Sequence, residues 1–380
     1  MMRRDLAAVT VTRVELVRVR LPLVTPFRTS FGVQTERDAL LVLVAGDDVE
    51  GWGECVTPAT PIYTEEYTDG AAHALEHVLL PALLGPGRRL RVEDVALRLG
   101  GFKGHRMAKA AIESAVLDAQ LRLADRSLAE HLEVTRDRVP AGVSVGIPDG
   151  GVPELIELVE GYLAAGYVRI KAKVARGTDV APMQALRSRF GAALHLQVDA
   201  NAGYDPDVRA DVAALDALDE LGLVQIEQPF GPDRLLAHAR HAARWRTPVC
   251  LDESITDAER AVEALALRAC RIVNIKPGRV GGPLEAVRVH DACRDRGIPV
   301  WCGGMLETGI GRALNVAIAA LPGFELPGDT SASDRYFADD LTEPFVLVDG
   351  HIAVPDGPGI GREPRADALR RADRRPVDVT

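Results

Sequence analysis

The chain has 380 residues, 47% hydrophobic and 26% charged, so it can bury a large core and lacks the composition of a disordered protein. Its formal charge of -10 argues against nucleic acid as a partner, because phosphate binders usually present a basic surface. No apolar run approaches the ~20 residues that span a bilayer, and no signal-peptide pattern is present, so we expect no membrane association.

Cysteine usage predicts a reduced, cytoplasmic protein. The number is odd, no C-x-x-C motif occurs, and two of the thiols sit in apolar, strand-like runs. The five residues are Cys55, Cys250, Cys270, Cys293 and Cys302.

Residues 1–138 are predicted to form an α+β domain, because apolar alternation comes first and helical apolar spacing follows. The predicted strands are 10–21, 39–45 and 51–54, and the predicted helices are 67–84 and 107–124. Between the first two strands, a loop at about 22–34 contains two prolines and two phenylalanines. It is either a lid over a site or a proline-fixed connection whose aromatic rings pack inward, and the sequence favours neither.

From residue 139 to 343, strand-like runs alternate with helical segments. The predicted strands are 141–145, 168–173, 194–199, 223–227, 249–251, 272–275, 299–302 and 325–326, and the clearest helices are 153–165 and 205–221. Eight such units predict an α/β fold that closes into a TIM-type (β/α)8 barrel. Residues 344–380 are predicted to be a tail that returns to the first domain, and its last fifteen residues are charged enough to suggest disorder.

Three carboxylates, Asp199, Glu227 and Asp252, end three consecutive predicted strands. Consecutive strands of a parallel barrel are neighbours, so these groups should converge, and a divalent cation would relieve their repulsion. An all-oxygen set suits Mg²⁺ or Mn²⁺, and the absence of histidine at these strand ends argues against zinc. The alternative is that these residues cap the helices that follow. A single such residue would favour capping, but three at matched spacing do not.

Lys171 and Lys173 are two residues apart, so they face the same side of a strand. If both face the barrel interior, each disfavours charge on the other, and a lowered lysine pKa would suit a general base. The alternative is a pair of surface lysines on an edge strand, which the flanking Ile170 and Val174 disfavour.

Lys276 ends the sixth predicted strand, four strands from Lys173, so the two lysines should face each other across the barrel. Two bases on opposite faces of one carbon are what a racemase needs. A cation bound to a substrate carboxylate would stabilise the enolate that forms. The alternative role for Lys276 is a salt bridge to Asp252 or Glu253, which does not exclude catalysis.

Several motifs resemble the enolase superfamily in its muconate-lactonising-enzyme subgroup, and in particular the branch of o-succinylbenzoate synthases and N-acylamino acid racemases. They are Lys171-Ala172-Lys173, Asp199-Ala200-Asn201, Glu227-Gln228-Pro229, Asp252-Glu253-Ser254, residues 274–279, and, more specifically, residues 26–32, 301–312 and 326–333. The likeness runs from about residue 11 to 361.

The resemblance implies a modified barrel with a capping domain built from the N-terminal part and completed by the C-terminal tail. It implies Mg²⁺ on the three carboxylates, Lys173 as one base tuned by Lys171, and Lys276 as the second base in racemisation. In o-succinylbenzoate synthesis, a step towards menaquinone, Lys173 would act as both base and acid, and Lys276 would be a cation beside the enolate. The implied substrate contacts are Phe27, Phe31, Tyr63, Ser144, Asn201, Gly303 and Met305.

The resemblance also implies a small carboxylate substrate and a homo-oligomer, either dimer or octamer. The lysine at position 276 excludes the mandelate-racemase subgroup, and Thr330-Ser331 after Asp329 disfavours the dipeptide-epimerase branch. Muconate-type cycloisomerisation is an alternative activity. Two hypotheses of other classes are a Schiff-base aldolase with Lys173 or Lys276 as nucleophile, and a non-catalytic barrel.

Overall fold

The computed structural model of the protein describes residues 6–378, and its first part is a domain of sheet and helices. The elements are β1 Val9–Thr10, β2 Arg13–Thr29, β3 Gly32–Gly46, β4 Val49–Cys55, α1 Thr68–Ala74, α2 Leu80–Leu84, β5 Arg89–Leu90, α3 Val92–Leu99, α4 Arg106–Leu123, α5 Leu128–His131 and β6 Arg138–Pro140. A π-helical turn, Leu75–Leu79, joins α1 to α2. The predicted meander and both predicted helices are present, the first helix in three pieces.

Two glycines bring α4 against the antiparallel sheet of β2, β3 and β4. A Cβ atom at Gly53 would lie 2.0 Å from the backbone oxygen of Ala111, and one at Gly51 would lie 2.1 Å from that of Ala115. Only glycine permits so close an approach of strand and helix. Helix α4 thereby covers this face of the sheet, and Val42 and Val44 of β3, which pair with the two glycines, are buried.

The prediction of a loop at 22–34 is wrong, because β2 and β3 continue through this segment as a hairpin. Phe27 lies opposite Gln34 and Thr29 opposite Gly32, and the register shifts between Pro22 and Phe27. Proline lacks the N–H that a ladder needs, which explains the irregularity at this point. We call residues 22–34 the cap hairpin; its tip contacts the barrel, where Ser30 Oγ donates a hydrogen bond to the Asn201 carbonyl.

The second part of the chain alternates strands with helices. The elements are β7 Gly142–Val145, α6 Gly151–Ala164, β8 Arg169–Lys173, α7 Val180–Phe190, β9 Leu196–Asp199, α8 Arg209–Asp219, β10 Ile226–Glu227, α9 Leu235–Ala242, β11 Val249–Leu251, α10 Ala258–Ala266, β12 Ile272–Ile275, α11 Pro277–Val280, α12 Pro283–Arg294, β13 Val300–Cys302 and α13 Gly309–Ala319. The strands β7 to β13 are parallel and adjacent in chain order. Their carboxyl ends therefore open on one face, as predicted.

The predicted eighth strand at 325–326 does not form. The segment instead makes single parallel bridges, Phe324 with Val300 of β13 and Gly328 with Ala141 just before β7. Pro327 lies between them and cannot donate to a ladder, so two isolated bridges take the place of a strand. The barrel is a modified one, with seven strands and an extended connection at the eighth position.

The tail is ordered and pairs with earlier strands. A 3₁₀ turn, Ser333–Arg335, is followed by β14 Leu347–Val348, β15 His351–Ala353, α14 Ala366–Leu369 and β16 Asp373–Pro376. β15 pairs with β6, and β16 pairs antiparallel with β2. The suggestion of disorder in the last fifteen residues is wrong for 366–378, because Arg374 bonds to Glu15 at 2.7 Å and Val377 is buried; residues 379–380 lie outside the described part.

The predicted domain boundaries at 138/139 and 343/344 remain predictions, although the pairing of β16 with β2 agrees with a tail that returns to the first domain. Within residues 6–378, no helix combines the length and the apolar character that crossing a bilayer requires.

Glu54 of β4 joins the capping sheet to the barrel helix α13. Its fully buried carboxylate accepts hydrogen bonds from Thr308 N, Thr308 Oγ1 and Gly311 N, and pairs with Arg37 at 3.2 Å. Glu54→Ala would leave the Arg37 charge and the helix N–H groups buried without their partner. We expect a loss of about 3–5 kcal/mol of unfolding free energy, measured by denaturant titration. Glu50→Ala, on the exposed end of the same strand, should change it by less than about 1 kcal/mol; similar losses in both variants would contradict this role.

Candidate active site

The three carboxylates predicted as metal ligands lie side by side at the carboxyl ends of neighbouring strands. Asp199 of β9 is in register with Glu227 of β10, and Asp252 directly follows β11. All three side chains are fully buried. Burial raises the pKa of Asp199, but Lys173 and Lys171 outweigh it and lower that pKa to about 2. Burial together with the Asp199 charge raises the pKa of Glu227.

The ammonium group of Lys171 is surrounded by three carboxylates. Its Nζ atom is 2.6 Å from Asp329 Oδ2, 3.2 Å from Glu227 Oε2 and 3.4 Å from Asp199 Oδ2. Burial lowers its pKa, but Asp329, Glu227 and Asp199 outweigh burial, so the net pKa of Lys171 is raised. The expectation of a lowered pKa is therefore wrong for Lys171, because the sequence did not show how many carboxylates surround it.

Lys173 ends β8, and its Nζ atom points into the site. It donates to Asp199 Oδ2 at 2.6 Å and to Asn201 Oδ1 at 2.9 Å. Asn201 has a φ of 44°, a left-handed conformation that is uncommon outside glycine and often marks functional sites. Its side chain also donates to Glu253 Oε1 at 3.2 Å. Asn201 thus positions the lysine from the next strand.

Lys276, which follows β12, reaches the same site from the other side. Its Nζ atom is 2.8 Å from Asp252 Oδ2 and 3.1 Å from the hydroxyl of Tyr63. The predicted salt bridge to Asp252 is therefore present. Burial lowers the pKa of Lys276, but Tyr63, Glu253 and Glu227 outweigh it and raise the pKa overall. Arg279 contacts the other oxygen of Asp252.

A cavity of about 60 Å³ lies between the barrel mouth and the cap hairpin. It brings together all three lysines with six of the predicted substrate contacts: Phe27, Phe31, Tyr63, Ser144, Asn201 and Met305. Gly303 is not in its wall; Gly304 is. A Cβ at Gly303 would lie 2.3 Å from Asn274 Oδ1 and 2.8 Å from Lys276 Cε, so this glycine makes room for the lysine instead. Gly303 is a predicted contact that the geometry does not support.

The donor set fits a hard divalent cation. Asp199, Glu227 and Asp252 offer only oxygen, and Glu227 Oε2 accepts no hydrogen bond, although Lys171 Nζ lies 3.2 Å from it. Within residues 6–378, no three acidic, histidine or cysteine side chains already stand at ligating distance from one another. Each of the three carboxylates instead contacts a cationic side chain that offsets its charge. The predicted ligand set stays a prediction that the chemistry of these residues supports.

Sequence reasoning missed several buried groups of the site. Asp329 bridges Lys171 and Arg169, Asn274 donates to Glu227 Oε1 at 2.8 Å, and burial raises the pKa of Glu253 to about 7. Asp329 and Glu253 follow strand-like runs, and Asn274 is the last residue but one of another, which is the signal that could have pointed to them. Their hydrogen-bond partners lie 47 to 160 residues away in the chain, and no spacing rule predicts such contacts.

The phenol of Tyr63 is the part of the cap that touches both Lys276 and Asp252, at 3.1 Å and 3.0 Å. Tyr63→Phe keeps the ring beside the lysine but removes both hydrogen bonds. We expect kcat to fall about 10-fold with little change in KM, since a hydrogen bond to a charged group is worth roughly 1.5–3 kcal/mol. Steady-state kinetics would check this. Tyr67→Phe, an exposed tyrosine on the same segment, is the control, and equal effects in both would contradict the assignment.

Comparison with known proteins identifies the family. Residues 154–368 match the enolase C-terminal domain-like family, and residues 11–132 match the N-terminal domain of mandelate racemase and muconate lactonizing enzyme. The chain belongs to the enolase superfamily. It is an enzyme of that superfamily, and the predicted family and modified TIM barrel with a capping domain are confirmed.

Relatives in this superfamily match over almost the full length. An N-succinylamino acid racemase from Amycolatopsis sp is 57% identical over 356 residues, 94% of this chain and 95% of the relative. An o-succinylbenzoate synthase from Geobacillus kaustophilus is 44% identical over 373 residues, 98% and 96% of the two chains. The crystal structure of an enolase superfamily member from Listeria innocua superposes with a TM-score of 0.91 at 35% identity, covering 98% of this chain and all of that one.

Proposed function

We propose that the protein racemises N-acylated amino acids, N-succinylamino acids in particular, by removing and returning the α-proton of a carboxylate. The observation that carries this proposal is that Lys173 and Lys276, from strands four apart, line one cavity. The similarity to an N-succinylamino acid racemase at 57% identity supports the substrate class. Syn dehydration to o-succinylbenzoate is the second candidate, supported by the similarity to an o-succinylbenzoate synthase at 44% identity.

In racemisation, Lys173 would take the α-proton from one face and Lys276 would donate a proton to the opposite face, and the roles reverse for the other enantiomer. In dehydration, Lys173 would take the proton and return it to the departing hydroxyl, while Lys276 would stay protonated beside the negative charge. Asp199, Glu227 and Asp252 would hold Mg²⁺ or Mn²⁺, which when bound would supply positive charge to the substrate carboxylate. Lys171 would keep Asp199 and Glu227 in place.

An exchange assay tests the proposal. The protein with Mg²⁺ is incubated in D₂O with single enantiomers of N-acetyl- and N-succinylamino acids, and NMR and polarimetry follow the α-position. We expect deuterium at Cα with loss of optical activity, which EDTA abolishes and added Mg²⁺ restores. A parallel assay of o-succinylbenzoate formation ranks the two reactions by kcat/KM. Dehydration without exchange would overturn the racemase proposal.

Two competing classes predict other outcomes. A Schiff-base aldolase would form a borohydride-reducible adduct with a carbonyl substrate, and a non-catalytic barrel would show neither exchange nor adduct. Cycloisomerisation would consume a muconate without exchange of an α-hydrogen in acylated amino acids.

A cytoplasmic location and a dimer or octamer remain predictions.

A further inference from the structure

Arg335 is a buried cation without an acidic partner. Its side chain is 8% exposed, and within residues 6–378 no carboxylate forms an ion pair with it. Nη2 donates to the backbone oxygen of Ser144 at 2.9 Å, Nη1 lies 3.5 Å from Thr25 Oγ1, and Nε has no hydrogen-bond partner. The buried arginines Arg37, Arg169 and Arg279 contact carboxylates, and Arg312, which has no ion pair, uses both terminal nitrogens on the backbone oxygens of Ser331 and Glu307. A buried charge without a counter-charge is costly, so an unpaired guanidinium suggests an anion that comes from elsewhere.

The guanidinium lies directly behind the wall of the active-site cavity. Its Cζ atom is 5.0 Å from the ring of Tyr336 and 5.9 Å from the ring of Phe27, and both rings line the cavity together with Ser144. The Ser144 hydroxyl is buried and also lacks a hydrogen-bond partner. This end of the cavity therefore combines a positive potential with an unused hydroxyl that can donate to an anion.

The distance from the reacting end suits a short acyl chain. The Nζ atom of Lys173 also lies 5.9 Å from the Phe27 ring, so this ring borders both the base and Arg335. A carbon held beside Lys173 can carry a four-carbon acyl group along this ring towards Tyr336 and Ser144. If that group ends in a carboxylate, its charge enters the field of Arg335 in a water-poor site, where charge interactions are strong.

We infer that Arg335 selects substrates whose acyl group ends in a carboxylate, acting as a positioning charge behind Ser144 and Tyr336. This inference rests on the proposed function and adds the residue that distinguishes a succinyl group from a neutral acyl group of the same shape. A neutral group receives no comparable attraction, so Arg335 should affect binding of the acyl end rather than proton transfer. Its effect should therefore appear in KM for succinyl substrates and leave kcat nearly unchanged.

The test compares N-succinyl and N-succinamoyl derivatives of one amino acid, which differ only in a terminal carboxylate or amide. We expect the wild-type enzyme to favour the succinyl substrate at least about 10-fold in kcat/KM. Arg335→Gln should raise KM for the succinyl substrate about 10-fold and change the succinamoyl substrate less than about 2-fold, and Arg335→Lys should restore most of the preference. Arg362→Gln, which removes a guanidinium 4.6 Å from the Phe345 ring, outside this cavity, should change neither.

Equal losses on both substrates in Arg335→Gln, or no wild-type preference for the carboxylate, would overturn the inference. The wild-type comparison is decisive even if Arg335→Gln does not fold, and thermal unfolding of each variant reports that. Racemisation of both substrates without preference would sink only the role of Arg335. Absence of racemisation on every acylated amino acid would overturn the proposed function, and the inference with it.

Discussion

Lys173→Ala should abolish racemisation and o-succinylbenzoate formation together while the protein stays folded. Lys173 is the proposed base in both reactions, and loss of a general base costs about 10²–10⁴-fold. The fold should tolerate the change for two reasons. Asp199 still has a cationic neighbour, Lys171, at 3.4 Å, and the pairing of β8 with its neighbouring strands uses only backbone groups. We expect both activities to fall at least about 100-fold, measured by loss of optical activity and by the synthase assay.

Two controls make this result interpretable. Thermal unfolding and Mg²⁺ titration of Lys173→Ala should resemble the wild type, which separates loss of the base from loss of the site. Lys109→Ala removes a lysine of the capping domain that bonds to the Phe102 carbonyl, and should retain full activity. Dehydration that persists in Lys173→Ala would sink the assignment of Lys173 as the base.

Lys276→Arg should separate the two reactions. Arginine keeps the positive charge but, with a pKa above 12, cannot act as a base near neutral pH. Racemisation needs a base on each face, so it should fall at least about 100-fold, whereas dehydration needs only a cation at this position and should fall less than about 10-fold. Exchange measured from each enantiomer separately should be lost for the one whose α-hydrogen faces Lys276 and kept for the other.

A neutral replacement provides the comparison for this variant. Lys276→Met removes both charge and base, and should impair both reactions strongly, since Asp252 would then lose one of its two cationic neighbours. If Lys276→Arg lowered both reactions equally, or spared exchange from both enantiomers, Lys276 would not have the two separate roles proposed here.

The line of strand-end charges could be read from the sequence because it depends on local pattern. Each charge follows an apolar run that forms a buried strand, and the strands are adjacent in chain order, so Asp199, Glu227 and Asp252 had to be neighbours. The same logic failed at 325–326, where Pro327 prevents a strand that the repeat alone would predict. It failed again at the cap hairpin, where pairing between the consecutive strands β2 and β3 outweighed two prolines.

By itself, the sequence determined the fold class, the family and the residues that converge at the barrel mouth. The reason is that the spacing of apolar residues, the apolar runs of buried strands and the charges at the strand ends are all encoded within short segments. Only the tertiary structure decided the partners of those residues. It placed Tyr63 of the cap on Lys276, surrounded Lys171 with three carboxylates, and left Arg335 unpaired behind the cavity. These contacts join residues distant in the chain, and packing between separate elements, rather than any local periodicity, sets their distances and charges.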